Sequence, residues 1–208
     1  MTQRVSVYVD GLNLYQGLRR QRWRRYYWLD LRRLSQGLLR ADQHLVAIRY
    51  FTAVVYPEPL DINKPRRQNT YLEALATLPD LHIHYGYHLA KRRRCSSCGA
   101  IEHTYEEKMT DVNIAVELLS DAHDDLFDIA LVVSGDGDLA GPVRTINERY
   151  PTKRVVVAFP PGRHSAGLRQ AARGFFTIGR SALRDSQFSD RVTKADGYVL
   201  TRPSSWKL

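Results

Sequence analysis

Cysteine is scarce: the 208 residues contain two, Cys95 and Cys98. A pair this close together cannot staple a fold of this size, so a disulfide framework is excluded. No apolar run approaches the roughly 20 residues that span a bilayer, so no membrane span and no membrane partner are expected. Internal repeats and low-complexity tracts are missing. A glycine-rich phosphate loop ending in lysine is missing too, which removes that class of nucleotide-binding enzyme. Met1-Thr2-Gln3-Arg4 runs straight into Val5 to Val9, a stretch too short for a signal-peptide core and without a small-residue cleavage site. A cytoplasmic location is therefore expected.

What is present fits one sizeable core: 43% hydrophobic and 25% charged residues are ordinary for a globular chain. Thirty-one Lys and Arg stand against 22 Asp and Glu, a net charge of +9. A chain this basic attracts polyanions and gains affinity by releasing their counterions.

Strand and helix signals alternate. Val5 to Val9 reads as a strand ended by Asp10-Gly11, followed by a helix over 12–20. Asp30 can cap a helix to about Leu39, and His44 to Val55 is a second strand. A helix over 64–78 and a strand over 81–89 follow, then an irregular insert over 91–104 carrying the cysteines. Thr110 can cap a helix to His123, with Val112, Ala115, Val116 and Leu119 as its buried stripe. Asp128 to Val133 is a continuous apolar run, as in the middle of a parallel sheet. A helix over 139–149, a strand over 154–159, a helix over 164–173 and an edge strand over 175–178 complete the pattern. This alternation predicts a three-layer α/β/α sandwich around a mostly parallel central sheet. The domain is expected over residues 1–180. Residues 181–208 form a C-terminal extension, with Phe188, Tyr198, Val199 and Trp206 to cover the domain or a partner. A homodimer is one arrangement the sequence leaves open.

Loops at the carboxyl ends of parallel strands form the usual ligand crevice. Asp10 ends the first strand, and Asp136 and Asp138 leave the most apolar one through Ser134-Gly135-Asp136-Gly137-Asp138. If those strands are neighbours, their ends lie about 5 Å apart. Asp111 begins a helix near the same end. Several carboxylates in one crevice repel each other unless a cation sits among them, and Mg²⁺ or Mn²⁺ takes oxygen ligands of this type. Such an ion can activate a water and stabilise charge on a phosphate oxygen. Each acid alone has a plainer reading: a turn for Asp10-Gly11, a favourable helix dipole for Asp111. A turn alone would need only one of the acids in 134–138.

Val7-Tyr8-Val9-Asp10-Gly11-Leu12-Asn13-Leu14-Tyr15, then Lys108-Met109-Thr110-Asp111-Val112, then Ser134-Gly135-Asp136-Gly137-Asp138-Leu139 with Pro142 resemble the NYN domain. That is the PIN-like ribonuclease branch that includes LabA-type bacterial proteins. The resemblance covers roughly residues 4 to 180. It implies a PIN-like fold and Mg²⁺- or Mn²⁺-dependent cleavage of RNA phosphodiesters. Asp10, Asp111, Asp136 and Asp138 would be the acidic site, and Asn13 a polar partner of the metal or of Asp10. Ser134 would stand behind them, and Lys108 would orient Asp111 or touch phosphate. The chain departs from the family pattern at Met109-Thr110, where a glycine often stands.

Arg19, Arg20, Arg22, Arg24 and Arg25 surround Trp23, Tyr26, Tyr27 and Trp28. Guanidinium on phosphate and aromatic faces on bases is how single-stranded RNA is held, and Arg22, Arg24, Arg25 and Trp23 are the candidates. Lys64, Arg66, Arg67 and Lys91 to Arg94 could extend the track. The plainer reading packs Tyr27 and Trp28 into the core and leaves the arginines to solvate a loop. Cys95 and Cys98 have the spacing of half a structural Zn²⁺ site, with His103 as the nearest further ligand. Two free thiols are the other reading.

Metal-dependent RNA cleavage is the leading function. A catalytically weak RNA-binding or regulatory protein that retains the fold is the alternative. A haloacid-dehalogenase-type phosphatase would need an aspartate at position 12, which is Leu.

Overall fold

The structure, a computed structural model, describes residues 2–57, 61–94, 96–99 and 101–207, without the side chains of 90, 91, 93, 94 and 102–106. Its strands are β1 (Gln3–Asp10), β2 (Gln43–Ala53), β3 (Leu81–Arg94), β4 (Ile101–Lys108), β5 (Ile129–Val133), β6 (Arg154–Phe159) and β7 (Gly174–Thr177). They form one sheet in the order β4-β3-β2-β1-β5-β6-β7. Every pairing in it is parallel except β3 with β4. β5, the apolar run, is buried throughout and lies beside β1, as its composition demands.

One face of the sheet is covered by helices α1 (Gly11–Arg20), α2 (Leu31–Leu38) and α3 (Lys64–Leu75), through Leu14, Leu18, Leu31, Leu34, Leu72 and Leu75. The other is covered by α4 (Thr110–His123), α5 (Ala140–Arg149) and α6 (Ala166–Ala171), through Ile114, Leu118, Val143, Ile146 and Leu168. The expected sandwich is the observed one. Helix α7 (Arg180–Asp185) and the antiparallel pair β8 (Arg191–Thr193) and β9 (Val199–Thr201) follow. Phe188, Leu200 and Trp206 of this tail join the first core, where Trp206 meets the rings of Trp28, Tyr27 and Tyr71.

Three local expectations are corrected. The segment expected to be an irregular insert carries two regular arms: β3 and β4 pair from Tyr87 opposite Lys108 to Arg94 opposite Ile101. Thr110 does not cap α4; Met109 holds the cap position in the left-handed region, φ 77°, and the Thr110 hydroxyl bonds Glu107 instead. That φ is one glycine adopts freely and other residues rarely. The stripe of α4 is rotated: Val112 and Val116 are 52% and 55% exposed, while Ile114, Leu118, Asp121 and Ala122 face inward. The cause is Asp121, whose carboxylate accepts from Tyr8 Oη at 2.6 Å and from both Nε and Nη2 of Arg49 at 2.6 Å. A buried charge with partners this close fixes which face turns inward.

Candidate active site

Val9 lies opposite Val133, so β1 and β5 deliver Asp10 and Ser134 side by side at the carboxyl edge of the sheet. Asp10 caps α1: its Oδ1 accepts from the Asn13 N–H at 2.9 Å, and its Oδ2 accepts from Ser134 Oγ at 2.9 Å. Asn13 Oδ1 in turn accepts from the Gly135 N–H at 2.9 Å, and Ser134 Oγ accepts from the Asp136 N–H at 3.0 Å. Asp10, Asn13 and Ser134 are all buried. The two loops are thus tied by a closed ring of hydrogen bonds that leaves Asp10 one rotamer. Asp136 caps the next turn by accepting from the Asp138 N–H at 3.1 Å, and Asp138 is exposed.

The other side of the crevice comes from the β3–β4 ribbon. Ala53, the last residue of β2, pairs with Gly86, and beyond it β3 overhangs the edge until β4 returns to Lys108. A Cβ on Gly86 would lie 2.6 Å from the Lys108 carbonyl oxygen and 2.9 Å from Thr110 Oγ1. Only glycine admits this crossing, which starts α4 at the crevice and places Asp111 in its first turn.

The carboxylates feel each other in sequence. Burial pushes Asp10 up to about 6, against the two hydrogen bonds that favour its charge and with help from Asp111 and Asp136. Asp111 is raised by burial and by Asp136 and Asp138. Glu107 is pushed up to about 7 by burial and by Asp10 and Asp111. Glu107 was not among the residues expected here. It belongs to the site because β4 is a strand that ends at this edge, whereas an irregular insert gave no reason to place it. Arg163 was missed as well: it follows β6, packs against Gly135, and its Nε stands 3.5 Å from Asn13 Oδ1.

A stability prediction follows from Asp10. Its carboxyl binds a proton more tightly folded than unfolded, so metal-free protein loses stability as pH rises from about 4 through 6. A carboxyl held about two pH units above its ordinary value costs up to about 3 kcal/mol once ionised. Asp10→Asn removes that cost. In thermal melts with chelator, the stability of the variant minus wild type should grow by up to about 3 kcal/mol between pH 4 and pH 8. A difference that stays flat would contradict the burial argument.

The remaining candidates fall elsewhere. Arg22, Arg24 and Arg25 are exposed, just past the far end of α1, roughly 15 Å from Asp10 for a ten-residue helix. Arg20, at that end, reaches the Gly162 carbonyl beside Arg163 at 3.3 Å. Trp23 is half-buried, edge-on to Tyr26 and under the Arg180 guanidinium. Tyr26, Tyr27 and Trp28 are core residues, so the plainer reading of those aromatics is the correct one. Lys108 is half-buried at the end of β4. Cys98 is an exposed thiol, while Cys95 and the His103 side chain, on which the zinc site depends, lie outside the described residues. Among the described residues no three His, Cys, Asp or Glu side chains close into a group that could hold a metal ion, and no helix is long and apolar enough to cross a membrane.

A parallel sheet with helices on both faces and a crevice of acids at its carboxyl edge defines a PIN-like α/β protein. The chain belongs to the NYN domain family, whose model matches residues 4–179. NYN domains are PIN-like and generally nucleases. The chain is 26% identical over 194 residues to 6-hydroxy-3-succinoylpyridine 3-monooxygenase HspA of Pseudomonas putida (strain DSM 28022 / S16), a match covering 77% of this chain and 61% of that protein. It thus spans under two thirds of that relative. It shares its fold with the crystal structure of a protein of unknown function, VPA0982 from Vibrio parahaemolyticus RIMD 2210633. That match has a TM-score of 0.56 at 22% identity, over 90% of this chain and 97% of the other.

Proposed function

We propose that this chain is a metal-dependent ribonuclease that hydrolyses RNA phosphodiester bonds, with Mg²⁺ or Mn²⁺ held by Asp10, Asp111, Asp136 and Asp138. The observation that carries the reading is the hydrogen-bonded ring joining the Asp10 and Ser134–Asp138 loops, which holds a buried carboxylate among other acids at an ionisation cost. The donor set fits a hard divalent cation: it is all oxygen, and each raised carboxyl is one that a positive charge would relieve. Bound there, such an ion supplies a polarised water and a counter-charge for phosphate. The protein's own part is positioning. Asn13 and Ser134 fix Asp10, and the Gly86 crossing fixes Asp111. Glu107, titrating near neutrality, is suited to take a proton from the attacking water.

A second reading, a catalytically weak RNA-binding or regulatory protein, is favoured by one observation: among the described residues the acids do not close into a metal cage. The activity for which the Pseudomonas relative is named, oxygenation of a pyridine, fits this site less well, because the acidic crevice calls for a cation and a phosphate. Cleavage of mixed RNAs with Mg²⁺ or Mn²⁺, compared with chelator, decides. Product that appears with metal and vanishes in the Asp136→Asn protein supports hydrolysis. Inert wild type that still binds RNA leaves the second reading.

On this reading the exposed Arg22, Arg24 and Arg25 would hold RNA beyond the crevice. Replacing Arg22, Arg24 and Arg25 together with alanine should flatten the salt dependence of single-strand RNA binding, lowering the log–log slope by about 2 for three phosphate contacts. An unchanged slope would put the RNA track elsewhere.

A further inference from the structure

Beside the acids lies a cavity of about 190 Å³ on the α1/α3 face of the sheet. It opens to solvent and is lined mainly by apolar and aromatic side chains, the usual form of a small-ligand site. Its walls include Tyr15, Tyr27, Tyr50, Tyr71 and Trp206, drawn from α1, the segment before α2, β2, α3 and the C-terminal tail. The Tyr71 hydroxyl donates to the Leu29 carbonyl at 3.0 Å and so is engaged within the protein. The rings of these residues give the wall its aromatic carbon. Polar groups gather on one side: Glu107 and His88 from the β3–β4 ribbon, Lys64 and Arg67 from α3. His88 Nδ1 is buried with no hydrogen-bond partner among the described residues.

The cavity and the acidic crevice adjoin. Gly11 lines the one and Asp10, its chain neighbour, belongs to the other; Glu107 lines the cavity and is raised by Asp10 and Asp111 of the crevice. A Cβ on Gly11 would lie 2.5 Å from the Tyr50 hydroxyl, so Tyr50 packs directly on the chain where the two meet. We propose that this cavity is a base subsite that takes a single six-membered heteroaromatic ring, carried in as a pyrimidine base of the RNA strand whose phosphate lies at the acids. The proposal rests on reading the aspartate cluster as an RNA site. Size chooses the ring: a cavity of about 150 Å³ admits benzene, so 190 Å³ holds one ring with its exocyclic atoms and crowds a purine. Aromatic walls supply the sequence-tolerant contact that bases make with proteins. The His88 nitrogen supplies a polar partner for an exocyclic group, and Lys64, with Arg67 already paired to Asp61, lies on the side where the adjoining phosphates would pass.

The test uses the full chain carrying Asp136→Asn and equilibrium binding of a short pyrimidine RNA, with an abasic nucleotide moved along it one position at a time. One position should stand out, losing roughly 5- to 150-fold in affinity when its base is removed, with cytidine and uridine favoured there over purines. Ala53→Leu, which fills the cavity from β2, should abolish that preference, and Ala53→Ser should keep it. A flat abasic scan, or purines accepted as well as pyrimidines, overturns the proposal even if Ala53→Leu fails to fold. Wild-type cleavage is read beside it. A chain that cuts RNA but scans flat keeps the nuclease and loses the pocket; one that cuts nothing but scans with a peak keeps the pocket and loses the nuclease.

Discussion

Asp10→Asn should lower RNA cleavage by about 10³-fold or more, the scale on which single electrostatic groups at a reacting phosphoryl or acyl centre act, while making the metal-free protein more stable at pH 8. The two effects have one cause. Asp10 is buried to 4% exposure and ringed by Asp111, Asp136 and Glu107, so its negative charge costs the fold free energy that only a cation returns. Asparagine keeps the shape and still accepts from the Asn13 N–H that caps α1. The fold loses little and the site loses the charge at its centre. Opposite movement of activity and stability separates a catalytic role from simple unfolding, which lowers both. Cleavage within tenfold of wild type would remove Asp10 from the metal site. A variant less stable than wild type at pH 8 would show that its carboxylate is structural.

The parts of this site legible in the sequence were those signalled by strand ends. A continuous apolar run reads as a central strand, and Asp10 and Asp136 meet if the first strand is its neighbour. The β1–β5 pairing supplies that condition. Asn13 and Ser134 were legible only as partners, and their part in the hydrogen-bonded ring came from geometry. Glu107 was hidden because Lys91 to Thr104 is polar and charged, which reads as a loop. A two-stranded ribbon reaching past the sheet edge has no buried face to impose alternation on its residues. The aromatics at 26–28 were ambiguous for a different reason. Their partners Phe188 and Trp206 lie more than 150 residues away in the chain, and no local pattern records a contact made at that separation. The α4 stripe failed because hydropathy puts Val112 and Val116 inside and Asp121 outside. An ion pair with Arg49 and a hydrogen bond from Tyr8 reverse that order, and only the tertiary structure shows where those partners lie.

That same ion pair gives a second large expected effect, on stability. Asp121→Ala should lower stability by up to about 3–5 kcal/mol, because it leaves the buried Tyr8 hydroxyl without its acceptor and the largely buried Arg49 guanidinium with only Glu117, 3.5 Å away. For a chain of this size that is a fall of about 6–20 °C in Tm. The pair clamps α4 against β1 and β2 near the helix's carboxyl end, while Asp111 enters the crevice from its first turn, so the clamp bears on the site from about 15 Å away. Loosening it should lower cleavage below Tm less than Asp10→Asn does, since every carboxylate remains. In a Tyr8→Phe background, which removes the buried hydroxyl that Asp121 accepts from, replacing both charged partners with apolar residues, Arg49→Met with Asp121→Leu, should recover most of the lost stability, because the buried groups are then removed together. Should that variant melt as low as Asp121→Ala, the pair would be holding the helix in register rather than satisfying a charge. Val112 and Val116 would then gain protection from solvent in hydrogen exchange as α4 turned toward the orientation its hydropathy favours.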